Sequence, residues 1–351
     1  MKIVIAPDSF KECLSAREVA EVMAASAVRA LVPQARLIEL PLADGGEGTL
    51  DAVSAPLHAE IETVQVPGPL GRPVRARFGR AGETAIVEVA QACGLQLVQP
   101  HERNPLTATT RGVGELLVAA YEKGCRHLLI GLGGTATCDG GAGMLAVTGV
   151  KEALRSCKIE LLSDVTAPLT GPSGAARVFG PQKGATPAQV EELEQRISKL
   201  ALQWQLETGR DVAQLPGAGA AGGLGGAFLA FSNARLLSGA RRIMDLCHFD
   251  EAIKGATLII TGEGKSDAQT LMGKVPHAVL QRAGSVPVAL LSGRVEDKPL
   301  LEQAGFRYVL EISPRNRPLQ EVMKPEAVRR YISSSLSRIS FSRSCTVEEP
   351  R

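Results

Sequence analysis

The chain has 351 residues, 44% of them hydrophobic and 22% charged, with a net charge of +2. That length accommodates two domains with a sizeable core, and the near-neutral balance gives no argument for nucleic acid or a membrane surface as a partner. Seven cysteines without a C-x-x-C pair, and five histidines without metal-type spacing, indicate neither a disulfide framework nor a zinc site.

Lys2 to Ala6 reads as a buried strand. It follows Met1 directly, with no basic start and apolar stretch of a leader, so the cytoplasm is the expected location. The strand runs into Pro7, Asp8, Ser9, Phe10 and Lys11. Residues at the carboxyl end of a strand in an open α/β sheet face the ligand crevice, which makes Asp8, Ser9 and Lys11 site candidates. A helix is expected from near Ser15, with Glu18 at the capping-box position. Arg36 to Leu42 reads as a second strand ending in ADGGEGT, where Asp44 and Glu47 flank two glycines. Acids placed so can hold Mg²⁺ or orient a hydroxyl, or can simply cap a turn. Residues 61 to 90 are broken by Gly and Pro into short segments, the pattern of an antiparallel meander. A loop at Asn104 to Thr110 and a helix at Arg111 to Gly124 follow.

The stretch from His127 to Gly149, HLLIGLGGTATCDGGAGMLAVTG, organises the reading. An apolar strand, Leu128 to Ile130, opens into Gly131, Gly133, Gly134, Gly140, Gly141 and Gly143 around two threonines and Asp139. Such glycines admit positive φ and let backbone N–H groups approach a bulky anion. Asp139 can cap the helix expected through Met144 and Val147. Strand, glycine loop and helix N-terminus make the architecture of a phosphate cradle, or of a tight turn without a ligand.

Further on, a strand is expected from Ile159 to Val165, then a loop carrying Asp164, Arg177 and Lys183. Leu193, Ile197, Leu200 and Trp204 mark the core face of a helix from about Pro187 to Gln205. PGAGAAGGLGGAFLAF reads as a smooth glycine–alanine helix or another phosphate-facing turn, too short and glycine-rich to span a bilayer. The strand Thr257 to Thr261 leads into GEGKSDAQTLMGKVP, with Glu263, Lys265, Asp267 and Lys274 within a dozen residues. Strands at Pro287 to Leu291 and Tyr308 to Ile312 precede a last helix, Leu319 to Ser337, and a Ser/Arg-rich tail expected to be disordered.

No complete G-x-x-x-x-G-K-[ST] motif is present, because Ile259 stands where the first glycine before Gly264-Lys265-Ser266 belongs. Gly131, Gly133 and Ala136 satisfy G-x-G-x-x-A after a strand, which keeps a nicotinamide-dependent oxidoreductase open. Repetition favours another chemistry. Four strand ends, at Asp8, Asp44, Asp139 and Glu263/Asp267, each deliver a carboxylate beside glycine, with Lys11, Lys183, Lys265 and Lys274 near such loops. Phosphoryl transfer needs those parts.

Together APDSFKECLSA, LADGGEGT, GLGGTATCDGGAGML, SDVTAPLTGPSGAARVFGPQKGAT, PGAGAAGGLGGA and LIITGEGKSDAQTLMGKVP resemble the bacterial glycerate kinase family over most of the chain. The resemblance implies a two-domain α/β enzyme that moves the γ-phosphoryl group of ATP, with Mg²⁺, onto D-glycerate. The expected product is 2-phosphoglycerate, with 3-phosphoglycerate as the other outcome. The expected domains are a Rossmann-like parallel-sheet domain (1–56, 101–149 and 241–337) and a smaller α/β domain with the antiparallel meander (57–100 and 150–240), followed by the tail 338–351. Chemistry suggests the roles. Asp44, Asp139 and Lys11 would be catalytic, and Gly133, Gly134, Gly140, Gly141, Lys183 and Lys274 would hold the ATP phosphates. Glu263 and Asp267 would take Mg²⁺. The alternatives are an NAD-dependent oxidoreductase of a small hydroxy acid and a non-catalytic nucleotide-binding relative. The chain departs from the family between Val150 and Ile159, where it is shorter than expected, and at Thr135, Cys138, Ala167 and Lys265.

Overall fold

The computed structural model describes residues 1–10, 13–30, 34–337 and 339. Lys11 and, apart from Ile339, the expected tail 338–351 lie outside the described residues. Eleven strands are present among them. In chain order these are β1 (Lys2–Ile5), β2 (Arg36–Glu39), β3 (Glu60–Pro67), β4 (Pro73–Ala81), β5 (Thr84–Glu88), β6 (His127–Gly131), β7 (Lys158–Leu162), β8 (Arg235–Leu237), β9 (Leu258–Ser266), β10 (Val288–Val295) and β11 (Tyr308–Glu311). They form two sheets, ordered β11-β10-β9-β1-β2 and β3-β4-β5-β6-β7-β8.

The chain divides into two units, Met1–Leu42 with His248 onward, and Ala43–Cys247. In the first, every strand pair is parallel. Ile3, Ile5, Leu258, Ile260, Ala289 and Leu291 are buried against helices Ala16–Ala30 and Pro325–Leu336. Near-continuous apolar strands such as KIVI are what burial on both faces demands. Strand order runs outward from β1 to β2 on one side and from β9 to β11 on the other, so the switch point lies between β1 and β9. There Asp8 N–H donates to Gly262 O at 2.9 Å and Thr261 Oγ1 to Ala6 O at 2.7 Å.

In the second unit β3, β4 and β5 form the expected meander, and β5 to β8 run parallel. The division therefore differs from the expected one. Residues 43–56, 101–149 and 241–247 belong to this unit, which holds more of the chain than the other. The reason is β5, antiparallel to β4 on one side and parallel to β6 on the other. One sheet carries both patterns, so the change of pattern near 60–90 is no domain border.

Local signals at helix starts were reliable. Ser15 and Glu18 form a capping box. Thr186 and Gln189 form another, Pro187 takes the first helical position, and Gly209 at φ 73° closes the helix Pro187–Thr208. The short segment after Gly149 contributes to the core. A helix, Val150–Ser156, leads straight into β7, and Val150, Leu154, Cys157 and Ile159 are all buried in the main cluster.

Candidate functional site

The parallel strands of the second unit end level with one another, with Glu88 beside Gly131, Gly131 beside Leu162, and Leu162 beside Leu237. The loop after Ala43 packs across this carboxyl edge at van der Waals limits. A Cβ on Gly131 would lie 2.6 Å from Gly45 O, one on Gly133 2.5 Å from Gly46 Cα, and one on Gly239 1.9 Å from Asp44 O. Glycine is the residue that permits backbone to meet backbone here. Asp44 is half-buried; its Oδ1 accepts the Gly46 N–H at 2.9 Å, and its other oxygen accepts no hydrogen bond among the described residues.

Two carboxylates that received no role from the sequence join this edge. Asp164 follows β7 and takes hydrogen bonds from Ser238 and, at 3.5 Å, from Ala240 N–H at the start of helix Gly239–Leu246. Burial, with the neighbouring Asp44 adding to it, raises its carboxyl above the usual range. Glu88 ends β5 at 3% exposure, accepting the Leu50 N–H at 2.6 Å and the Gln91 amide at 3.2 Å. Both stand directly at strand ends, and that position was the available signal.

Burial pushes the Glu88 carboxyl from its ordinary 4.5 to about 6. A folded-state pKa above the unfolded value gives stability that is complete below the unfolded pKa and lost as pH rises through the folded one. The stability of the natural chain relative to Glu88→Gln should therefore fall by about 2 kcal/mol between about pH 4.5 and about pH 7. Melting curves of both proteins across that range check it. A constant difference would contradict it.

The glycine loop after β6 divides into two parts. Around Asp139 the N–H groups from Gly140 to Met144 are taken. Its Oδ1 accepts Gly141 N–H (3.0 Å), and its Oδ2 accepts Thr110 N–H (2.8 Å), Thr110 Oγ1 (2.9 Å) and Gly143 N–H (3.1 Å). Gly140 N–H goes to Gly222 O at 3.1 Å, and Met144 N–H to Thr110 Oγ1 at 3.0 Å. The anion at this helix start is thus Asp139 itself, joining helices Arg111–Glu122 and Ala142–Leu145. With Gly140 N–H, Gly141 N–H and both Asp139 oxygens engaged within the fold, this arrangement lends no support to the expectation that Gly140 and Gly141 cradle phosphate and that Asp139 orients a hydroxyl. It also counts against the dinucleotide fingerprint, which needs a helix N-terminus open to pyrophosphate.

The other part is open. The N–H groups of Gly133, Gly134 and Thr135 donate to no acceptor among the described residues, and Gly134 takes φ 68°. Successive free N–H groups around a left-handed glycine suit an anion. Lys183 approaches this stretch from inside the fold, only 4% exposed, donating to Thr135 Oγ1 and Thr137 O.

The remaining candidates lie in the first unit. Glu263 is 5% exposed; its Oε1 accepts Ser266 Oγ at 2.9 Å and Thr270 Oγ1 at 2.6 Å, and its Oε2 faces Lys274 Nζ at 3.7 Å. Burial raises its carboxyl. Asp267 caps the turn Ala268–Met272 through the Gln269 N–H at 2.9 Å, and its Oδ2 faces Lys265 at 3.4 Å. Asp8 is 5% exposed and its Oδ1 accepts the Ser9 N–H at 2.7 Å. Among the described residues no three His, Cys, Asp or Glu side chains are grouped to hold a metal ion, and no helix is long and apolar enough to cross a membrane.

A model of the glycerate kinase family matches residues 3–153 and 146–340, the two segments meeting where the chain runs short. A glycerate kinase of Bacillus subtilis (strain 168) is 41% identical over 93% of this chain and 94% of its own length. A glycerate 2-kinase of Escherichia coli (strain K12) is 40% identical over 92% and 93%. A crystal structure from Salmonella typhimurium LT2, provisionally assigned as glycerate kinase 2, aligns with a TM-score of 0.76 and 38% identity over 95% of this chain and 97% of that one.

Proposed function

This chain belongs to the glycerate kinase family, and from that premise we propose that it transfers the γ-phosphoryl group of ATP to the 2-hydroxyl of D-glycerate. The observation that carries the reading is the carboxyl edge of β5 to β8, where the open N–H groups of Gly133 to Thr135 share a sheet edge with the half-open carboxylate of Asp44. The N–H groups suit phosphate oxygens and Asp44 suits the attacking hydroxyl, as positioning and electrostatic stabilisation require. The printed name of the Escherichia coli relative supports the 2-position.

Mg²⁺ would neutralise phosphate charge when bound, through one or two protein carboxylates and the phosphates themselves. Asp267 fits that task better than Glu263. One Asp267 oxygen faces only Lys265, whereas Glu263 is occupied by two hydroxyls on one oxygen and by Lys274 near the other. Glu263 then holds its loop, and Lys274 remains available for a phosphate oxygen. Lys11, which lies outside the described residues, would hold phosphate or the glycerate carboxylate. An assay of ADP release over a panel of small hydroxy acids tests the reading. ADP should form with D-glycerate, and NADH formation without ADP would overturn it.

A further inference from the structure

Lys183 ends the turn Pro181–Lys183, 4% exposed. Its ammonium donates to Thr135 Oγ1 at 2.9 Å and to Thr137 O at 2.7 Å. Asp139 favours its charge from a distance but makes no ion pair with it, and burial pushes its pKa down. A buried ammonium without a carboxylate partner is costly where a methionine could fill similar space. The stretch it grips is the one whose backbone donors are open.

An ammonium has three N–H groups and no lone pair, so Thr135 Oγ1 is the acceptor in their bond. The hydroxyl's own proton must point elsewhere, and it reaches no acceptor among the described residues. From the other side Ala136 N–H is held by Cys93 O at 2.8 Å, and Leu95 N–H by Gly134 O at 2.7 Å. Gly133 is wedged against Gly46. The loop is fixed by three independent contacts.

We propose that Lys183 is a positioning residue for phosphate: from inside the fold it sets Thr135 as a hydroxyl donor and places a positive charge behind the N–H groups of Gly133 to Thr135, without touching the ligand. This rests on the kinase reading above, and it replaces direct contact between Lys183 and phosphate. A donor fixed before the ligand arrives loses no reorganisation energy on binding.

The test uses the full chain with Lys183→Met, Thr135→Val, Thr135→Ser and the Lys183→Met/Thr135→Val pair. Binding of inorganic tripolyphosphate is read by calorimetry, and KM for ATP and kcat by ADP release. Each of Lys183→Met and Thr135→Val should weaken tripolyphosphate and raise KM for ATP by about 10- to 100-fold, the ordinary loss for one hydrogen bond to a charged group. The pair should lose little beyond either single change, because the two act as one unit. Thr135→Ser, which keeps the hydroxyl, should stay within about 3-fold of the natural chain. If Lys183→Met fails to fold, the contrast between Thr135→Val and Thr135→Ser decides alone. Thr135→Val binding tripolyphosphate as the natural chain does would overturn the inference and leave the kinase reading standing. A natural chain that binds tripolyphosphate in this graded way but never phosphorylates glycerate would do the reverse.

Discussion

Asp44→Asn should lower turnover with D-glycerate about 10³-fold, inside the range for a lost general base, and leave the melting temperature nearly unchanged. Asparagine can still accept the Gly46 N–H that Asp44 Oδ1 now accepts at 2.9 Å, so the turn survives. What disappears is the negative charge on the second oxygen, which accepts no hydrogen bond among the described residues. Phosphoryl transfer needs a residue that accepts or orients the attacking hydroxyl's proton, and a neutral amide does this poorly. On the proposal that the carboxylate acts on the reacting hydroxyl, kcat should carry the loss and KM for ATP should hardly move. Turnover within a few-fold of the natural chain would remove Asp44 from catalysis and leave it as a turn former.

Gly239→Ala should be among the damaging small substitutions in the second unit. At the start of helix Gly239–Leu246 alanine would by itself favour the helix, by up to about 1 kcal/mol. Its methyl, however, would sit 1.9 Å from Asp44 O, 2.4 Å from Asp44 C and 2.8 Å from Gly45 N, all backbone atoms that cannot rotate aside. Overpacking of this kind costs roughly 1–3 kcal/mol and occasionally more, so the clash wins. The melting temperature should drop by roughly 2–8 °C, given about 2–4 °C per kcal/mol for a unit of this size. Turnover should fall with it, because the displaced backbone carries Asp44. Calorimetry and an activity assay on the same preparation check both; an unchanged melting temperature would mean that the Asp44 loop is not seated on Gly239.

Much of this was legible in the chain. Apolar runs marked strands of both sheets, a capping box marked helix Ala16–Ala30, the helical spacing of Leu193, Ile197, Leu200 and Trp204 marked helix Pro187–Thr208, and acids beside glycine marked the strand ends. Three things were not legible, each for a physical reason. A strand's pattern shows which faces are buried but not whether its neighbours are parallel, so β5 hid the continuity of its sheet. Asp139 reads equally as a cap and as a ligand, and only its four hydrogen bonds show that it fills the helix start itself. Gly239 meets Asp44 across most of the unit, and nothing near either residue in sequence announces the contact.

The central claim, phosphoryl transfer to D-glycerate, is tested most directly by phosphorus NMR of a reaction holding the full chain, ATP, Mg²⁺ and D-glycerate. The account predicts an ADP signal growing in step with a single new phosphomonoester, whose coupling to the C2 proton identifies 2-phosphoglycerate. ATP signals unchanged over hours, at enzyme concentrations where the Bacillus subtilis relative exhausts them, would contradict it.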